Sequence, residues 1–325
     1  MSVKHFDGKK FFNPWPDAKP HGISGMFRWT LQRIGKKRDS CQPPVPVSEN
    51  VDLETPPNTP RITWIGHSTF LIQLGGLNVL TDPIWSQRAS PFQALGPKRI
   101  SQPGVALADL PEIHAVLISH DHYDHLDSNT VRVLRNAYPG AKWFAPIRVR
   151  KWLVRRGVVD VVEHDWYESS SWRGAQVSCI PAQHFAGRSI TGRNKTLWCG
   201  WIIRADSHAV MFAGDTGLHP EFSLVAAAHG PFAVAILPIG AYNPRWFMQS
   251  VHMDPDDAVA AYRAVHNVNP DNKCVFIPSH WGTFVLTDEP VDEPPRRLRV
   301  AWKAAGYDAE NCVILRPGES FLYPE

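Results

Sequence analysis

Ser119-His-Asp-His-Tyr-Asp-His-Leu-Asp127 places His120, His122, Asp124 and His125 in an H-x-H-x-D-H array, and that array decides the fold. Ligand-type side chains packed this densely point to a metal site, and neutral imidazoles with a carboxylate suit Zn, Fe or Mn. The preceding Ala115-Val-Leu-Ile-Ser119 has the length and β-branched content of a buried strand, so the ligands leave a strand end and enter a loop. Asp127 stands where a helix N-cap belongs, ahead of the helical pattern Val131, Leu134 and Tyr138. Two positions apart, His120 and His122 can reach one ion, while Asp124 and His125 leave the next turn toward a second.

Working outward, His184, Asp215 and His280 each stand close behind an apolar strand, as His120 does, beside Gly or Pro. Strands are expected at 61–65, 69–74, with Gly75-Gly76 as a hairpin turn, and 78–81, ending at Asp82-Pro83. Further strands are expected at 142–145, 158–162, 176–180, 197–204, 209–213, 233–237 and 274–278, with helices over 149–156, 220–228 and 254–266. Two packed mixed sheets flanked by helices are the economical architecture, an α/β (α+β) sandwich over residues 61–325. Meeting on one sheet edge, His120, His122 and His184 would hold one ion and Asp124, His125 and His280 another, with Asp215 between them. Such a two-metal site activates water for hydrolysis. Residues 1–60 carry Phe11-Phe-Asn-Pro-Trp-Pro16, the basic run Lys36-Lys37-Arg38 and a series of prolines from Pro43 to Pro60. They read as an extended arm lying over the body with its aromatics as anchors.

The chain of 325 residues has 43% hydrophobic content, enough for a sizeable core, and a net charge of only +3, which supplies no field for nucleic acid. Its five cysteines, Cys41, Cys179, Cys199, Cys274 and Cys312, are scattered without a C-x-x-C pair, the usage of reduced thiols in a cytosolic setting. No signal-peptide core opens the chain and no apolar run approaches a membrane span. The 13 tryptophans belong mainly in the core, with some aromatic surface available to a lipid interface. The expectation is a cytoplasmic, membrane-peripheral protein.

The ligand set resembles the metallo-β-lactamase superfamily, with Asp82, the 120–125 array, His184, Asp215 and His280 matching its five motifs. The resemblance implies the αββα sandwich, a dinuclear centre that is usually zinc, and Asp82 outside the metal ligands as an acceptor from a ligand imidazole. Trp64-Ile-Gly-His-Ser-Thr69, Thr81-Asp-Pro-Ile84, Pro181-Ala-Gln-His184, Leu197-Trp-Cys-Gly-Trp201, His252-Met-Asp-Pro255 and the aromatic run at 11–16 resemble the N-acylphosphatidylethanolamine-hydrolysing phospholipase D family and its bacterial homologues. In that family water attacks the phosphodiester phosphorus at the metal centre, releasing the head-group alcohol and leaving phosphatidic acid. Val251 replaces a Gln of that family, so one polar head-group contact is expected to be missing.

The implied catalytic residues are Asp124 and Asp215, with Tyr123 and His252 as candidates to stabilise charge on the phosphate. Tyr123 could donate its hydroxyl to a phosphoryl oxygen or pack beneath the loop, and His252 could contact phosphate or cap a helix. Arg188 and Arg193 follow His184 in a Gly-rich loop and could pair with a phosphate or remain solvated cations. His67 is expected to make a hydrogen bond beside the site instead of binding metal. Two rivals keep the centre: a lactonase or other carboxylic-ester hydrolase, and a metal-stabilised binding or envelope-associated protein. The resemblance also allows a homodimer.

Overall fold

Both faces of the first strands are apolar, so they must be covered on both sides. β1 (Arg61–Gly66), β2 (Thr69–Leu74) and β3 (Leu77–Thr81) are buried almost throughout. Gly75 and Gly76 turn β2 into β3 with φ of +56° and +73°, the mirror-image geometry that matches strand twist. The computed structural model describes residues 3–16, 20–34, 43–49, 51, 53 and 58–324. β4 (Ala115–Leu117), β5 (Lys142–Pro146) and β6 (Val161–His164) extend the sheet in parallel from β3. A second sheet contains β7 (Ser169–Trp172), β8 (Ala175–Ile180), β9 (Gly200–Ala205), β10 (His208–Phe212), β11 (Val234–Pro238) and β12 (Val275–Ser279). The chain then returns to the first sheet as β13 (Ser320–Leu322), giving the orders β13-β1-β2-β3-β4-β5-β6 and β12-β11-β10-β9-β8-β7.

Alternation along the strands divides the core. Ile72, Val79, Leu117 and Phe144 face the second sheet and pack with Val177, Cys179, Trp201 and Phe212, while Leu71, Leu80, Val116 and Trp143 face the opposite way. Helices cover the outer faces. Besides α1 (Ile23–Arg33), these are α2 (Ser128–Ala137), α3 (Arg150–Val154), α4 (Phe222–His229), α5 (Arg245–Met248), α6 (Pro255–His266) and α7 (Glu293–Ala304). Val131, Leu134 and Leu153 of α2 and α3 close the first sheet; Phe222, Tyr262 and Trp302 of α4, α6 and α7 close the second. The result is the αββα sandwich. As expected, Asp127 caps α2, accepting from the Asn129 and Thr130 amides.

Several elements differ from the sequence reading: the strand expected at 158–162 is β6 at Val161–His164, and β7 and α7 were not expected. Residues 197–199 precede β9 without joining its ladder, because the Leu197 amide donates to Ile147 O and the Cys199 amide to Ser119 O. The arm is also not extended throughout, since α1 occupies 23–33. Prolines stop at Pro20 and resume at Pro43, leaving that stretch free to coil, and Trp29 docks it on Phe247 at 5.3 Å between ring centres. The Lys36-Lys37-Arg38 run, Cys41 and Pro56-Pro57 lie outside the described residues. The other four cysteines are unbridged, and Trp64, Trp143, Trp198 and Trp201 are fully buried.

Candidate metal centre

Every ligand-type residue leaves the C-terminal end of a strand, and the parallel arrangement puts those ends on one edge. Asp82 follows β3 and His120 follows β4 in the first sheet; His184, Asp215 and His280 follow β8, β10 and β12 in the second. Gly214, at φ +63°, makes the turn into Asp215, and a Cβ there would meet Cys199 O and Ser119 Cβ at 2.8 Å. His67, Asp82 and His280 also adopt positive φ, at +57°, +33° and +60°, a cost that non-glycine residues carry when the surroundings hold them in place.

Three imidazole nitrogens converge: His122 Nδ1 lies 2.8 Å from His120 Nε2 and 3.2 Å from His184 Nε2. Nitrogens sharing one tetrahedral ion at ~2.0–2.1 Å stand roughly 3.3 Å apart, so this spacing fits a cation at their centre. Beside them Asp124 Oδ2 lies 3.3 Å from His125 Nε2 and 3.4 Å from His280 Nε2. Asp215 Oδ2 joins the two sets, 3.1 Å from His125, 3.0 Å from His280, 3.7 Å from His184 and 3.9 Å from His120. His125 Nε2, His280 Nε2 and Asp215 Oδ1 are buried without a hydrogen-bond partner, although the first two approach Asp215 closely. Unsatisfied buried donor atoms around two carboxylates are what a cation site leaves when only the protein is considered.

The outer nitrogens are tied down. His184 Nδ1 lies 2.9 Å from Val251 O, His125 Nδ1 2.7 Å from Asp82 Oδ2, and His120 Nδ1 2.9 Å from Ser119 Oγ. Asp82 is itself held by the Ser119 amide at 2.7 Å and hydroxyl at 2.5 Å. Each contact turns the opposite ring nitrogen inward. Burial holds His122 down to about 3 and His184 to about 4, so both present neutral rings. Burial acts the same way on His280, but the Asp215 and Asp124 carboxylates outweigh it and raise that imidazole to about 9. His125 is likewise raised, against its burial, by Asp215 and Asp124.

The model of the β-lactamase superfamily domain matches residues 77–281, which includes all seven of these residues. The chain belongs to the metallo-β-lactamase superfamily. It is 40% identical over 315 residues to N-acyl-phosphatidylethanolamine-hydrolyzing phospholipase D 1 of Caenorhabditis elegans, covering 91% of this chain and 86% of that protein. It is 44% identical over 242 residues to an uncharacterized Mycobacterium tuberculosis protein, covering 74% of this chain and spanning 63% of that protein's length. The fold is also that of a metallo hydrolase from Ignicoccus hospitalis, with a TM-score of 0.61 and 24% identity over 82% of this chain and 99% of the other.

Superfamily membership leaves the residues around the metal-ligand set to be read from contacts. The Tyr123 hydroxyl donates to Arg188 O at 2.8 Å. Arg188 Nη1 donates to Asp121 O at 2.9 Å and Leu126 O at 2.7 Å, and its guanidinium lies over the rings of Tyr123 and Trp152 at 4.0 and 4.6 Å. Two carbonyls and one ring of the 121–126 loop, with the Trp152 ring of α3, capture the cation, which burial lowers to about 10. Arg193 lies over the Phe185 ring at 4.5 Å. His67 makes the expected hydrogen-bonding contact, Nε2 to Asp124 Oδ2 at 2.9 Å. His252 does face the centre, its ring 4.9 Å from His184 and 5.2 Å from His280, with Nδ1 buried and unpartnered. Val251 is buried and contributes its carbonyl to His184.

Sequence reasoning missed two residues. Asn13 of the arm donates to His184 O at 2.8 Å and accepts from the His184 amide at 3.2 Å. Asp121, an x position of the array, accepts from the Gly187 amide at 2.7 Å and Thr196 Oγ1 at 3.0 Å, pinning the loop to its neighbour. The quoted run around Asn13 was a signal for the first; nothing in the array marks the second.

Proposed function

We propose that the protein is a dinuclear zinc-dependent phosphodiesterase of the phospholipase D type, acting on N-acylphosphatidylethanolamine-like phospholipids. The observation that carries the reading is the pair of ligand sets sharing Asp215 Oδ2, joined to 40% identity with the nematode phospholipase over 91% of the chain. His120, His122 and His184 would hold one ion, Asp124, His125 and His280 the other, and Asp215 both. Five imidazoles with two carboxylates form a donor set that suits zinc. Divalent ions held there would supply Lewis acidity and activate water for attack on phosphorus.

The chain's own residues prepare the site. Asp82, Ser119 and Val251 O fix ring orientation before any ligand arrives, so little reorganisation remains on binding. Asp124 is oriented by His67. His252 is kept neutral by burial and brings an unpartnered ring nitrogen to the edge of both ligand sets, where it would contact a phosphoryl oxygen or the departing alkoxide.

Protein purified without added metal should contain two zinc ions per chain by elemental analysis. It should release phosphatidic acid from N-acylphosphatidylethanolamine, lose that activity to a chelator and regain it with zinc. Turnover of a lactone panel beside inactivity on both the phospholipid and bis-p-nitrophenyl phosphate would overturn the reading.

A further inference from the structure

Helix α1 is folded the wrong way round for a helix that serves only its own core. At 100° per residue, Met26, Phe27, Leu31 and Ile34 fall within an arc of about 140°. That arc faces solvent: Met26 is 53% exposed, Phe27 65%, Leu31 50% and Ile34 73%. The side turned to the protein carries Gly25, Trp29 and Arg33. A Cβ on Gly25 would come within 3.0 Å of the Phe247 ring. Trp29 Nε1 donates to Asp288 Oδ2 at 2.6 Å, and Arg33 Nε lies 3.2 Å from Asp288 Oδ1. The inward face is thus anchored by a close backbone approach and a polar clasp, and the apolar side chains are left outside.

Charge identifies what would cover them. From Lys19 to Arg38 the sequence carries Lys19, Arg28, Arg33, Lys36, Lys37 and Arg38 and no Asp or Glu. An exposed apolar arc on a helix within a wholly basic stretch matches an anionic lipid surface, where side chains enter the acyl boundary and cations meet head groups. A nucleic acid would leave the apolar arc uncovered. No helix among the described residues is long and apolar enough to cross a membrane, so the contact would lie in the interface plane. The helix also stands beside the metal centre. It packs on α5, whose Met248 O accepts from the His252 amide at 2.9 Å, and on Asp288, in the loop that leads away from His280.

We propose that α1 docks the protein on anionic phospholipid bilayers through Met26, Phe27, Leu31 and Ile34. This inference stands without the phosphodiesterase reading, because binding is measured with no turnover. Co-sedimentation with vesicles of equal parts phosphatidylcholine and phosphatidylglycerol is compared for the full chain, the Phe27→Ser, Leu31→Ser double variant, and Val300→Ser, which alters an apolar residue 71% exposed on α7. The wild type and Val300→Ser should bind, and pure phosphatidylcholine should bind at least tenfold more weakly. The double variant should bind anionic vesicles at least tenfold more weakly with an unchanged thermal melt and unchanged turnover of soluble bis-p-nitrophenyl phosphate. Equal vesicle binding by the double variant, or no binding by the wild type, would overturn the proposal. So would a wild-type dimer that the double variant dissolves without any effect on vesicle binding, since a second copy would then be the occupant. Loss of diester turnover in all three proteins, with vesicle binding intact in the wild type and Val300→Ser and weakened in the double variant, would count against the phosphodiesterase reading alone.

Discussion

Replacing Arg188 with Met tests whether this cation serves the substrate or the loop. Met approximates the aliphatic length but removes the donors to Asp121 O and Leu126 O and the cation over Tyr123 and Trp152. Each lost hydrogen bond from a charged donor is worth roughly 1.5–3 kcal/mol. The ring contacts add about 0.5–2 kcal/mol, and the carbonyls left without a partner relax toward water. Because Met refills part of the space, Arg188→Met should cost about 3–5 kcal/mol of stability, a large share of the stability ordinary for a domain. The loop it releases carries His122, Asp124 and His125, so metal affinity should fall by about 10–100-fold, the usual effect of removing a group that orients ligands. Urea unfolding of the metal-free protein reads the first effect, and competition with a chromogenic zinc chelator reads the second. Arg188→Lys keeps the charge without the planar fork and should fall between the two proteins on both measures. Wild-type unfolding and metal affinity, accompanied by a raised KM for phosphodiesters alone, would refute the reasoning and return Arg188 to the phosphate.

Asp82→Asn should weaken metal binding about 10–100-fold without unfolding the chain, because an amide still fills the space but holds the His125 Nδ1–H less firmly; chelator competition measures it. Tyr123→Phe removes only the hydrogen bond to Arg188 O, so stability should drop by about 0.5–1.5 kcal/mol in urea melts while kcat for a diester stays within about threefold. His219 is stacked on Trp15 and Phe222 at 4.6 and 4.3 Å, and burial lowers it to about 3. The unfolded chain therefore takes up a proton below an ordinary imidazole value of about 6.5 that the folded chain refuses, and stability falls as pH drops through that value toward 3. His219→Phe keeps the stacking and should lose about 1.4 kcal/mol less than the wild type between pH 7.5 and 5.5 in urea melts, and an identical pH slope would sink this account.

The sequence alone determined the metal-ligand candidates and the two-sheet architecture. Strand ends carry their own local signals, and His120, His184, Asp215 and His280 each follow an apolar run closed by residues that stop it. Asp127 and the Asp254-Pro255 pair marked helix starts because capping is decided within a few residues, and both act as caps. The roles of Tyr123, Arg188 and Asn13 were decided by tertiary structure. Each depends on which of several polar atoms a long or flexible side chain meets, and those atoms lie far along the chain: Arg188 on the 121–126 loop, Asn13 on His184. The outward apolar face of α1 was equally hidden, because spacing fixes which residues share a face while only packing decides which face the protein covers.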